Sequence, residues 1–113
     1  MARACVVLAE GFEEIEAVTV IDVLRRADVE VELVAARSPQ VMGAHGLELY
    51  APMGIEEAIE SQWDVVVCPG GLPGSHNLQS NPLVLQLLRT RKARGGIVAA
   101  ICAAPIVLAE AKV

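Results

Sequence analysis

Cysteine is scarce in this sequence: Cys5, Cys68 and Cys102 are the only three among 113 residues. Each lies in or beside an apolar run, so no disulfide framework is expected, and their spacing matches no zinc motif. Reduced thiols and no metal follow. Long apolar runs are also lacking. Although 54% of the residues are hydrophobic, no stretch approaches the roughly 18 residues that a membrane span needs. No membrane partner is expected. Basic charge is short as well, 9 Lys and Arg against 14 Asp and Glu for a net charge of −5. Such a surface repels a phosphate backbone, and the basic residues form no stripe, so no nucleic-acid partner is expected. The start lacks a basic segment ahead of a long apolar stretch. A secretory signal is therefore not expected and a cytoplasmic location is. There is no repeat or low-complexity linker, and the length suits one core.

What the sequence does have is a set of short, densely apolar runs, each stopped by glycine or proline. The most informative is Gly95-Gly96-Ile97-Val98-Ala99-Ala100-Ile101-Cys102-Ala103-Ala104-Pro105. Five apolar residues after a glycine pair predict a buried strand, and Pro105 followed by Ile106-Val107-Leu108-Ala109-Glu110 predicts an opening helix. Cys102 then sits on a strand-to-helix turn. Such a turn lifts a nucleophile above the sheet edge and tolerates only small neighbours, here Ala100, Ala103 and Ala104. The free N–H groups at the start of the following helix favour thiolate over thiol. A buried structural cysteine is the competing reading.

Taken in order, Ala4 to Ala9 reads as a central strand covered on both faces. Glu13 to Ala27 reads as an amphipathic helix with acids at its start and Arg25-Arg26 at its end, as the helix dipole favours. Glu13, Glu14 and Glu16 are either that dipole complement on a solvated face or, lying beyond the carboxyl end of the first strand, part of a site. Val29 to Ala36 predicts a second strand nearer an edge. Val41 to Tyr50 predicts a hairpin-like excursion in which His45 is a solvated turn residue. Ile55 to Ile59 makes a short helix. Asp64 to Cys68 predicts a third parallel strand, and Pro69-Gly70-Gly71 stops it on the side where Cys102 emerges. Two glycines there allow close backbone approach, so that main-chain N–H groups could hold an oxyanion. No Lys-Ser/Thr follows, which argues against a phosphate loop. His76, in the expected loop Leu72 to Asn77, is a minor candidate for a Cys-His dyad with Cys102. Asn81-Pro82 starts a helix, and Arg89, Arg91, Lys92 and Arg94 end it as a solvated basic face. The order of elements predicts an α/β fold, a parallel sheet with helices on both faces.

At Glu13-Glu14-Ile15-Glu16, Val67-Cys68-Pro69-Gly70-Gly71 and Ala100-Ile101-Cys102-Ala103-Ala104-Pro105, the chain resembles the ThiJ/PfpI superfamily in its DJ-one branch. The resemblance implies a flavodoxin-like fold, a homodimer and no cofactor. It implies that Cys102 is the nucleophile and redox-sensing thiol, and that Glu16 is a protonated acid hydrogen-bonded to its sulfur. Gly71 and Ala103 match the residues whose backbone amides face the cysteine. The activity implied is glutathione-independent glyoxalase action on methylglyoxal, a small aldehyde, with deglycation of early glycation adducts and protection against oxidative stress. One alternative is a non-catalytic redox sensor or chaperone switched by oxidation of Cys102. Another is a cysteine peptidase or amidotransferase-like triad. In this family the domain continues past the elbow helix, where a further histidine lies. Residues 1–113 are therefore expected to be the N-terminal portion of one domain, with the nucleophile elbow at 97–108 and the sheet incomplete at its C-terminal end. The remainder is expected on a separate polypeptide, the C-terminal fragment of the same protein.

Overall fold

A computed structural model describes residues 1–113. The first strand, β1 (Arg3–Leu8), is buried at every position after Arg3. Its side chains alternate between two cores: Cys5 and Val7 point to one face, and Ala4, Val6 and Leu8 to the other. A strand lined this way must be covered on both sides, which is why it reads as continuously apolar. Helix α1 (Glu14–Arg26) follows. Glu13 is its N-cap and accepts a hydrogen bond from the Ile15 N–H at 3.3 Å, with Arg25 and Arg26 in the last turn.

Strand β2 (Glu30–Ala35) then pairs in parallel with β1, Arg3 opposite Glu30 through Leu8 opposite Ala35. The excursion is an antiparallel hairpin of β3 (Gln40–Met42) and β4 (Glu48–Tyr50). It leads to a two-residue strand absent from the sequence reading, β5 (Met53–Gly54), which adds to β2, and to the short helix α2 (Ile55–Glu60). Strand β6 (Val65–Cys68) returns to the other side of β1. The stretch expected as a loop after Pro69-Gly70-Gly71 coils instead into α3 (Gly74–Gln79). It does so although Gly74 opens it, because Leu78 is thereby buried in the core. Helix α4 (Pro82–Ala93) starts as its sequence predicts: the Asn81 carboxamide oxygen accepts from the Leu83 and Val84 N–H groups at 3.0 and 3.4 Å. Strand β7 (Ile97–Ala100) and helix α5 (Pro105–Ala111) complete the order.

The main sheet is parallel, in the order β5-β2-β1-β6-β7. Helices α2, α3, α4 and α5 cover one face, with Leu78, Val84, Leu87, Leu88 and Val107 in that core. Helix α1 and the hairpin cover the other through Ala17, Ile21 and Val41. Burying a side chain such as Leu88 or Val84 stabilises the fold by about 1.5–3 kcal/mol each. The flavodoxin-like α/β expectation is met. At the basic end of α4, Arg89, Lys92 and Arg94 are exposed, as a solvated face requires, and Arg91 is half-buried. Arg89 Nε donates to the Ala111 carbonyl at 3.0 Å, and the Arg91 guanidinium donates to the Trp63 and Arg94 carbonyls. Long guanidinium arms reach carbonyls that the ends of α5 and of the β6 approach leave without partners. β7 is hydrogen-bonded on one side only, and Ile97 on it is 64% exposed. No helix is long and apolar enough to cross a membrane.

Candidate active site

The chain leaves β1 toward β2 on one side and later returns to β6 on the other, so the loops after β1 and β6 diverge above the sheet. That switch of direction opens a crevice at the carboxyl ends of the strands. Here the two loops are stitched together: the Glu13 N–H donates to the Gly70 carbonyl at 2.9 Å, and the Gly74 N–H to the Gly11 carbonyl at 3.1 Å. Glycine is required by space. A Cβ on Gly71, whose φ is +98°, would collide with the Glu13 nitrogen and lie 2.8 Å from the Gly11 carbonyl oxygen.

Gly70 is the centre of the arrangement. Its N–H donates to Glu16 Oε1 at 3.0 Å. A Cβ placed on it would collide with that same Glu16 oxygen and lie 2.7 Å from the Ile101 carbonyl oxygen and 3.0 Å from Cys102 Cβ. The carboxyl group of α1 and the cysteine beyond β7 therefore flank one glycine, 54 residues from the first and 32 from the second in sequence. The adjacent loop register is held by the Ile101 N–H, which donates to the Cys68 carbonyl at 3.3 Å.

Cys102 lies between β7 and α5 with φ +59°, and the Ala104 N–H closes the turn onto the Ile101 carbonyl at 3.0 Å. The other non-glycine residues with positive φ, Asp28 and Lys112, follow helix ends, where this conformation is common. At Cys102 it precedes a helix. A left-handed backbone on a residue with a side chain is strained and concentrates at functional positions. Cys102 is exposed, whereas Cys5 and Cys68 are buried. Burial raises the Cys5 thiol, aided by the neighbouring Cys68, and pushes Cys68 up to about 12. Neither the Gly71 nor the Ala103 N–H donates to a protein acceptor.

The three acids, read together from sequence as a charged helix start, have three separate roles. Glu13 caps α1, Glu16 faces Gly70, and Glu14 is buried. Glu14 Oε2 accepts from the His45 and Leu47 N–H groups at 2.7 and 3.2 Å, and Oε1 lies 3.0 Å from His45 Nδ1. Burial pushes the Glu14 carboxyl up, but the hydrogen bonds from the His45 ring and from the backbone outweigh it and hold the pKa down to about 2. The His45 ring is raised in turn, first by its hydrogen bond to Glu14 and then by the charge of Glu13, 3.8 Å away. His45 is thus not the purely solvated turn residue expected from its loop. Its partner lies 31 residues earlier, and the one hint in the sequence is Gly43, where a Cβ would lie 2.5 Å from the Glu14 carboxyl carbon. Donor atoms of Glu13, Glu14 and His45 lie within 4.8 Å of one another, a spacing that could share a cation.

His76 falls on α3 rather than in a loop. Its ring nitrogen Nδ1 is 3.3 Å from Gln79 Oε1, and no hydrogen bond joins it to Cys102. The elbow reading of Cys102 and the close-approach reading of the glycine pair converge on one point. Which carboxylate meets them was not decided by sequence spacing.

A doubly wound parallel sheet with a strained, exposed cysteine beyond its outer strand and a carboxyl group across a glycine defines the class: an α/β protein of flavodoxin-like fold with a cysteine elbow. The DJ-1/PfpI family model matches residues 2–113, and the chain belongs to that family. It is 40% identical over 108 residues to protein dj-1beta of Drosophila melanogaster, covering 95% of this chain and 58% of that protein. It is 33% identical over 99 residues to the glutathione-independent glyoxalase DJR-1.2 of Caenorhabditis elegans, covering 88% of this chain and 53% of that one. Among solved structures, oxidized DJ-1 of Toxoplasma gondii superposes with a TM-score of 0.94 at 34% identity, over 98% of this chain and 61% of that one. The chain thus spans little more than half the length of these curated relatives.

Proposed function

We propose that the complete domain containing this chain is a cysteine-dependent glyoxalase acting on methylglyoxal. The observation that carries the reading is Gly70, which holds the Glu16 carboxyl group and Cys102 against the same small space. The Cys102 thiolate attacks the aldehyde carbon, and the unpaired N–H groups of Gly71 and Ala103 are the donors for the oxygen that becomes negative. Glu16 moves the proton from the former aldehyde carbon to the neighbouring carbonyl carbon, leaving a lactate thioester on Cys102. Water then cleaves the thioester, releasing lactate and restoring the thiol. No cofactor or external oxidant is consumed. The relative named as a glutathione-independent glyoxalase supports this choice of chemistry. Deglycation of early glycation adducts would use the same nucleophile, and with it a protective role under oxidative stress in the cytoplasm.

The free side of β7, with Ile97 and Ile101 exposed, is the seat for the rest of the domain. The exposed Ile15 and Val18 on α1 are the surface for a homodimer. The test is methylglyoxal consumption by the assembled domain. Cys102→Ser should abolish it and Glu16→Gln should impair it; turnover retained in Cys102→Ser would overturn the reading.

One observation favours a second reading, a redox sensor or chaperone. Cys102 alone among the three thiols is exposed, so peroxide would reach it selectively. Two equivalents of hydrogen peroxide convert the thiolate to a sulfinate and yield two waters. Selective gain of two oxygens at Cys102 together with no aldehyde turnover would favour this reading over the enzyme.

A further inference from the structure

We propose a second small-molecule site, for a free α-amino acid with an aliphatic side chain, in the cavity of about 420 Å³ at the carboxyl ends of β1 and β2. It is separate from the elbow: neither Cys102 nor Glu16 lines it. Its volume falls within the roughly 300–1,000 Å³ of small-molecule sites, and strand carboxyl ends are where open parallel sheets bind ligands.

The walls are fastened. Asn77 Nδ2 donates to the Glu10 carbonyl at 2.8 Å, tying α3 to the loop after β1. Asn81 Nδ2 donates to the Ala36 carbonyl at 3.1 Å, tying the start of α4 to the end of β2. The floor is apolar, formed by Leu8, Ala9, Ala36 and Val41, all of them core residues. It suits an aliphatic side chain.

The rim carries one unpaired cation and one unpaired carboxylate. Arg37 has no hydrogen-bond or ion partner, and the N–H groups of Arg37 and Ser38, just past β2, find no protein acceptor. Together they make a donor set for a carboxylate. Glu10 accepts the Met42 N–H at 3.1 Å through Oε2 and pairs with no cation. With the Asn77 side chain beside it, Glu10 suits an ammonium. Two opposite charges that lie on one rim without pairing with each other, above an apolar floor, match a zwitterion better than an anion or an amine alone.

The test is calorimetric titration of the assembled domain with L-leucine, 4-methylpentanoic acid and 3-methylbutylamine. Leucine should bind saturably at one molecule per chain, with each half-charged analogue weaker by about tenfold or more. Arg37→Gln and Glu10→Gln, both exposed positions and the latter still able to accept from Met42, should each weaken leucine by about tenfold. Cys102→Ser should leave leucine binding unchanged. No saturable binding into the millimolar range, equal binding of the acid lacking its amine, or loss of leucine binding in Cys102→Ser would each overturn the assignment.

Discussion

Replacing Gly70 by alanine adds one methyl group at the point where Glu16 and Cys102 meet. The backbone there is not left-handed, so the effect isolates crowding from conformational strain. The new Cβ would collide with Glu16 Oε1 and press on the Ile101 carbonyl and on Cys102 Cβ at 2.7 and 3.0 Å. The glutamate end can swing aside, at the loss of its hydrogen bond from Gly70, about 1 kcal/mol. The carbonyl is elbow backbone and the Cβ is bonded directly to it, so neither can yield without moving the elbow, and overpacking of that kind costs about 1–3 kcal/mol. The sum is about 2–4 kcal/mol, which displaces a urea midpoint by roughly 1–2 M. The second readout is the rate at which iodoacetamide alkylates Cys102, which should change because the elbow shifts. Gly46→Ala is the comparison. With φ +88° and nothing within 4 Å, it suffers backbone strain alone, about 1–2 kcal/mol, and should leave Cys102 labelling as it was. If Gly70→Ala costs no more than Gly46→Ala and labels Cys102 at the native rate, the shared-wedge account of the site is wrong.

Three further outcomes are expected. Iodoacetamide at neutral pH should add one label to the native chain, at Cys102, and three after unfolding, read by intact mass; native labelling of Cys5 or Cys68 would contradict their burial. The Glu14–His45 pair should make stability depend on pH from both sides. Glu14 is lowered from 4.5 to about 2, so its contribution is complete above pH 4.5 and is lost as pH falls toward 2. His45 is raised above 6.5, so its contribution is complete below pH 6.5 and is lost as pH rises through the raised value. The stability gap between the native chain and His45→Ala should therefore be widest between pH 4.5 and 6.5, and a gap independent of pH would refute the pairing. Asn81→Ala removes the cap of α4 and strands the Ala36 carbonyl, so denaturation should report a loss of about 2–3 kcal/mol; a loss below about 0.5 kcal/mol would show that the tie carries no load.

The sequence by itself determined the features that depend on neighbours along the chain. The continuous apolar run at Ala4 to Ala9 could only be a doubly covered strand, and Asn81-Pro82 could only start a helix economically. Small residues around Cys102 between a strand and a proline-led helix marked the turn that the backbone takes there at φ +59°. The glycine pair after Cys68 signalled that something approaches closely. Tertiary structure alone decided what approaches. Gly70 separates Glu16, 54 residues before it, from Cys102, 32 residues after it, and Gly43 makes room for the Glu14 carboxyl group that binds His45, 31 residues further on. Helical spacing could not tell which of three neighbouring glutamates would cap, which would be buried and which would face the elbow, because the charge pattern that favours a helix start is the same for all three. The short β5 and α3 escaped for a related reason: two residues of strand and a helix opened by glycine have little local preference, and they form because the sheet edge and the core accept them. Local chemistry sets the elements, and the order in which β1 and β6 meet sets which residues share a site.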